Sequence, residues 1–451
     1  MSSYFAPRAL LADGWQHAVR IEVNAQGFIS ALYADGEAGD ATPLPGAVIP
    51  AIANLHSHAF QRAMAGLAEV AGDPQDSFWT WRDLMYRMVQ RLSPEQVGDI
   101  ARHLYIDMLK GGYTQVAEFH YLHHDPSGAP YSDDAMLQQL IAAAEYAGIG
   151  QTLLPVLYSY SGFGAQPPQD GQKRFIQSAE SYLRQQERLQ QLLRDKPLHN
   201  QGLCFHSLRA VSQPQIEQVL AASSPDLPVH IHVAEQEKEV NDSLAWSGER
   251  PVSWLLNRFA VDARWCLIHA THLDQDEIRR LAHSGAVAGL CPTTEANLGD
   301  GIFPASDYIA QGGRWGIGSD SHVSLDVVEE LRWLEYAQRL RDRRRNRIVT
   351  AQQNSIGDVL YQQAAAGGAQ ACGVKTGLLA VGQRADWLVL EQESWLASCP
   401  DHALLNRWLF AGHRGQIRDV WVAGRQVINS GKHAAEAESW QRFSAAIGAL
   451  Q

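Results

Sequence analysis

The stretch VIPAIANLHSHAF, residues 48–60, closes an apolar run with two histidines one residue apart. Val48 to Leu55 reads as a buried strand. In a strand, residues i and i+2 share a face, so His56 and His58 project from the same side of its C-terminal end. Two imidazoles directed at one point make half of a metal site.

Seven further runs share this character: TQVAEFHYL, GQTLLPVLYS, QGLCFHSLR, LPVHIHVAE, RWCLIHATH, AVAGLCPTT and RWGIGSD, the last ending at Asp320. Longer polar stretches separate them, several with a helical pattern. SPEQVGDIARHLYIDMLKGG opens on Ser-Pro-Glu and closes on a glycine pair, and SDDAMLQQLIAAAEYAGI starts with an aspartate suited to capping a helix. Eight alternations, with strands that are continuously rather than alternately apolar, predict a parallel (β/α)8 TIM-like barrel. An open doubly wound sheet is the competing arrangement, but no Gly-x-Gly-x-x-Gly follows the first run.

The flanks differ. ADGWQHAVRIEVNAQGFISALYADG near the N-terminus, and QRADWLVLE and IRDVWVAGRQVINSG near the C-terminus, have hairpin character. Each end alone is too small to bury a core. Residues 1–48 together with 376–451 are therefore expected to form a small β-sandwich domain beside a barrel spanning 49–375.

Composition sets outer limits. Of 451 residues, 45% are hydrophobic and 19% charged, an ordinary globular balance. The net charge of −12 offers no general basic surface for nucleic acid or anionic lipid, although a local cationic pocket for an acidic substrate is compatible with it. No apolar run approaches the ~20 residues that span a bilayer, and MSSYFAPRALLADGW lacks signal-peptide character, so a cytoplasmic protein is expected. Five widely spaced cysteines suit reduced core thiols.

In such a barrel the active site lies at the C-terminal ends of the strands. The polar residues at those ends are His56 and His58 on the first, His232 on the fifth, His269 on the sixth and Asp320 after the eighth. Three imidazoles and a carboxylate suit Zn²⁺, completed by water or hydroxide, and Fe²⁺ fits the same set. His230 shares a face with His232 but lies earlier in its strand, which favours His232 as the ligand. Glu235 is placed to take a proton from an attacking water and pass it to a leaving group. His269 either ligates or hydrogen-bonds the developing tetrahedral centre. Asp320 is both a ligand and a potential base.

At HSH, HVAE, His269 and GSDSH the chain resembles the amidohydrolase superfamily, in its mononuclear deaminase branch. The resemblance implies one zinc per subunit on His56, His58, His232 and Asp320, proton shuttling by Glu235, and a hydroxide oriented by His269. It also implies the barrel with its small β-domain, and a homodimer. Two-metal members place a bridging lysine at the end of strand four, and GLCFHSLRA has none. HSHAFQRAMAG, EFHYLHH, CFHSLRAVS and CPTTEANLGDGIF are similar to a narrower branch that hydrolyses formimino amino acids in histidine degradation. Neighbouring branches act on guanine, adenosine derivatives, cytosine or triazines. A metal-binding scaffold that has lost catalysis is the reading from another class.

An acidic linear amidine needs a cation at one end of its pocket. Arg209 is suited to bidentate carboxylate binding, and the resemblance places Gln61, Tyr121, His206 and Arg209 in the substrate pocket. Arg82, in SFWTWRDLMYRM, is a second cation within reach if that loop covers the site. His120, His123 and His124 are expected to shape the pocket around Tyr121 rather than bind a second metal. Glu295 suits a cationic amidine.

Overall fold

The computed structural model describes residues 2–70, 77–392 and 394–450. Its barrel strands are β1 (Ile52–Ser57), β2 (Tyr113–His120), β3 (Gly150–Pro155), β4 in two pieces (His199–Gln201 and Leu203–Ser207), β5 (Val229–Val233), β6 (Trp265–His269), β7 (Val287–Leu290) and β8 (Arg314–Ile317). Neighbours pair in parallel. Parallel bridges from Leu157 to Phe205 and from Ser57 to Asp320 join the two arcs into a ring. The break in β4 falls at Gly202, where a Cβ would lie 2.6 Å from Leu154 Cδ2.

Helices follow every strand and cover the outer face of the ring. This explains the continuous hydrophobicity: every residue of β1, β2 and β3 is buried. The helix Pro94–Lys110 starts as its sequence predicts, with Ser93 Oγ accepting from Gln96 N at 3.2 Å, and its cap is Gly111. The aspartate expected to cap Ala135–Ala147 does not do so. Asp134 stands at the cap position with φ 51°, and its carboxylate instead accepts from Arg188 Nε at 2.5 Å, a stronger charged partner than a backbone N–H. Among the described residues no helix is long and apolar enough to cross a membrane.

The two chain ends meet in one eight-stranded sheet. Ala47–Pro50 lies between the strands Ser2–Leu11, paired parallel, and Trp387–Leu390, paired antiparallel. Pairing is continuous through both chain ends, which joins them in one unit beside the barrel. Ala47–Pro50 accepts a partner on each edge, and the ladder does not divide into two separately paired sheets. Alternate residues of that strand serve two cores: Val48 packs with Val19, Ile21, Trp387 and Trp421, whereas Ile49 joins the main core of the barrel.

Candidate active site

The imidazoles and the carboxylate singled out above converge at the C-terminal mouth of the barrel. His56 Nε2 and His232 Nε2 are 3.0 Å apart, and Asp320 Oδ1 lies 3.4 Å from His56 Nε2 and 3.3 Å from His58 Nε2. His269 Nε2 is 3.8 Å from Asp320 Oδ2 and 3.7 Å from Glu235 Oε1. All six side chains are buried.

The backbone brings them there. The chain passes from β8 so close to β1 that a Cβ on Gly318 would lie 2.7 Å from His56 Cβ. Asp320 N then donates to the His56 carbonyl at 3.0 Å. Ala234, His269 and Asp320 have φ values of 53°, 69° and 46°, a left-handed conformation that turns each strand end sharply at the site. Residues without glycine's freedom hold such geometry only where the surroundings impose it.

The protonation pattern fits a cation. His58 Nδ1 donates to the Phe119 carbonyl at 2.7 Å, and because a carbonyl only accepts, the Nε2 lone pair is left facing the centre. Burial, reinforced by neighbouring His58, lowers His56 to about 3, and burial lowers His58 and His232 as well. Neutral imidazole is the ligating form. Burial pushes the Asp320 carboxyl up, but hydrogen bonding from His56 and the adjacent imidazoles pull it further down, below the usual carboxylate range. His56, His58 and Asp320 form one group with donor atoms spaced for a metal ion, and His56, His232 and His269 form another. The cluster of histidine and aspartate therefore fits a metal ion.

His269 and Glu235 differ from the rest. Burial opposes charge on His269, yet Glu235, Glu295 and Asp320 outweigh it and raise the imidazole to about 10. Burial raises Glu235 to about 7 against the attraction of His269. Glu295, expected to face an amidine, instead stands behind His269: its Oε1 lies 3.3 Å from His269 Nδ1 and accepts from Cys291 N at 2.9 Å. It orients the ring.

A narrow cleft opens above the cluster. His58, Gln61, Arg82, Tyr121, His206, Arg209, His232, Glu235, His269 and Asp320 all line it, and His56 sits beneath. Gln61 Nε2 donates to the Tyr121 hydroxyl at 3.0 Å. Arg82 and Arg209 both approach the Trp79 ring, at 4.6 and 5.9 Å, from the helix Phe78–Val89 and the end of β4 respectively. Among the described residues neither guanidinium Nε has a hydrogen-bond partner. The cleft thus has an end lined by imidazoles and carboxylates and a cationic end.

His230 is held elsewhere, with Nε2 donating to the Ala371 carbonyl at 2.8 Å. His120, His123 and His124 are likewise tied through Nε2 to the carbonyls of Leu122, Val156 and Ile176, and among the described residues they form no metal-like group. Residues 71–76, part of the loop proposed as a cover, lie outside the described residues.

Sequence reading missed Glu118. Its carboxylate accepts from Ser57 Oγ and Ala59 N, each at 2.6 Å, and from the Tyr105 hydroxyl at 3.0 Å, so it grips the His-Ser-His turn from behind. Burial raises it to about 7. The available signal was a lone carboxylate inside the apolar run TQVAEFHYL.

A sequence model of the amidohydrolase family matches residues 47–427, and one of the formimidoylglutamate deiminase HutF N-terminal domain matches residues 1–42. The chain belongs to the amidohydrolase family. Within that class it is 62% identical, over 452 residues and 100% of both chains, to a formimidoylglutamate deiminase of Pseudomonas aeruginosa. An amidohydrolase from Brucella melitensis superposes with a TM-score of 0.95 at 45% identity, covering 100% of each chain. An adenosine deaminase from Xanthomonas campestris, with bound zinc, shares the fold at TM-score 0.78 and 23% identity over 98% of each chain.

Proposed function

We propose that the protein hydrolyses N-formimino-L-glutamate to N-formyl-L-glutamate and ammonia in histidine degradation, with one Zn²⁺ held by His56, His58, His232 and Asp320. The observation that carries the reading is a cleft with ligand-type imidazoles at one end and Arg82 and Arg209 at the other. Full-length similarity to the Pseudomonas aeruginosa relative supports the choice of substrate. When bound, the ion supplies Lewis acidity that lowers the pKa of a water to ~7.

The protein groups do the rest. Arg209 and Arg82 pair with substrate carboxylates, aided by Gln61, Tyr121 and His206, and this holds the amidine carbon over the cluster. Glu235, raised to about 7, takes a proton from the attacking water and delivers one to the departing nitrogen. His269, held by Glu295 and drawn toward its protonated form by the surrounding carboxylates, donates a hydrogen bond to the oxygen added to that carbon. The C–N bond to the terminal nitrogen breaks, ammonia leaves, and the formyl carbonyl remains.

The same reading assigns residues 49–375 to the catalytic barrel and residues 1–48 with 376–451 to the accessory domain, the strand Ala47–Pro50 of the accessory sheet spanning that first boundary. It makes the protein a cytoplasmic homodimer, and five buried, unpaired cysteines support a reducing compartment.

The test is ammonia release by zinc-reconstituted protein from N-formimino-L-glutamate, beside guanine and an adenosine derivative. Release from the formimino acid alone is expected. Release from a purine alone would transfer the chain to the purine-deaminase reading, and full metal loading without turnover of any amidine would revive the silent scaffold. For the Arg209→Ala variant, loss of a charge-assisted pair should raise KM about 10- to 100-fold while kcat changes little. A fall in kcat at unchanged KM would remove Arg209 from substrate binding.

A further inference from the structure

Glu239 is 1% exposed, on the first turn of the helix Glu237–Ser247, and it does not line the cleft. Its Oε1 accepts from Ala234 N at 3.2 Å, and its Oε2 accepts from Glu235 N at 3.3 Å. The same Oε2 lies 4.0 Å from Arg209 Nε. An ordinary glutamate at this helix position reaches back to the N–H of its own N-cap residue, here Gln236. Glu239 reaches past it, to the two N–H groups that set the turn at the end of β5. One of those residues, Ala234, is held at φ 53°. The next is Glu235.

We propose that Glu239 is a positioning residue with two linked effects: it fixes the Glu235 backbone so that its carboxylate faces the cluster, and it moderates the hold of Arg209 on substrate carboxylates. The first effect follows from the acceptor geometry. A carboxylate accepts at both oxygens, whereas glutamine would turn an NH2 group toward one of the two N–H donors and lose that bond. The second follows from charge. The Arg209 side chain is 11% exposed and its Nε has no hydrogen-bond partner among the described residues, so the Glu239 carboxylate is a close anion competing with an incoming ligand. Removing that charge strengthens the field felt by an anionic substrate or product.

A helix cap that only stabilised the fold would affect unfolding and leave ligand affinity unchanged or weaker. The proposed role predicts opposite movements. In Glu239→Gln, kcat should fall about 10²-fold, a part of what general acid–base transfer contributes. Over the same substitution the Kd of N-formyl-L-glutamate should drop severalfold, with metal content unchanged. Glu239→Asp keeps the charge but shortens the reach, so its kcat should fall while its product Kd stays within about twofold of the parent, a small change on the scale of tenfold per 1.4 kcal/mol.

The inference rests on the proposed function, and the parent protein separates the two. Failure of the parent to bind N-formyl-L-glutamate overturns the substrate reading. Binding by the parent with unchanged or weaker binding by Glu239→Gln overturns the role of Glu239 alone. If Glu239→Gln does not fold, an unchanged kcat in Glu239→Asp overturns it, and a reduced kcat with parental product affinity supports it.

Discussion

Asp320→Asn should reduce kcat by at least about 10³-fold, or about 4 kcal/mol of transition-state stabilisation, and should leave metal content well below one per subunit. Asp320 supplies the carboxylate of the proposed ligand set, and its Oδ1 stands within 3.4 Å of both His56 Nε2 and His58 Nε2. An asparagine loses the negative charge that complements a divalent cation, and its amide nitrogen cannot ligate as a carboxylate oxygen does. The substitution is informative because it spares the backbone. Asp320 has φ 46°, a conformation that asparagine adopts readily and alanine does not. Elemental analysis with steady-state kinetics checks the result, and parental metal content with parental kcat would remove Asp320 from the ligand set. Arg209→Ala, acting at the other end of the cleft, should differ in kind by altering KM.

What could be read from the sequence follows the range of the interactions involved. The barrel strands are legible because most of their residues are buried on both faces, which leaves an apolar run in each; the half-buried first piece of β4, His199–Gln201, is the exception, and only its Gln201 falls in the run read for that strand. His56, His58, His232, His269 and Asp320 are legible because each ends such a run. VIPAIANL misleads in one respect: it is two strands, Ala47–Pro50 in the sheet of the chain ends and β1 in the barrel, and both are buried. Apolar content alone does not mark a change of sheet. Glu118, Glu239 and Glu295 are harder to read because their significance lies in partners brought by the fold. Glu118 is 61 residues from Ser57, and Glu295 is 26 from His269. No local spacing encodes such pairs. Arg209 was found through the chemistry an acidic substrate demands, whereas its neighbour Glu239 answers no demand visible in the sequence.

The second large effect concerns the choice left open between Glu235 and Asp320 as the group that moves the proton. Glu235→Gln should lower kcat about 10³-fold with KM within a few-fold of the parent and metal content retained, since positioned acid–base groups contribute about 10²- to 10⁴-fold. Glutamine preserves the size of the side chain and can still hydrogen-bond, so cleft shape and substrate contacts at Arg209 should persist. It cannot accept a proton from water and return one to nitrogen. The environment suits Glu235 to both tasks, because burial raises it to about 7 while Asp320 is held well below the carboxylate range and remains an anion. A group so strongly acidic is a poor acceptor and a poor reservoir of protons at neutral pH. His269, 3.7 Å from Glu235, is tied by Glu295, and the neighbouring carboxylates favour its protonated form, which suits it to donate rather than to act as base. Parental kcat in Glu235→Gln would shift proton transfer to Asp320 and require that carboxylate to serve as ligand and base together. Loss of metal in the same variant would instead make Glu235 part of the binding shell.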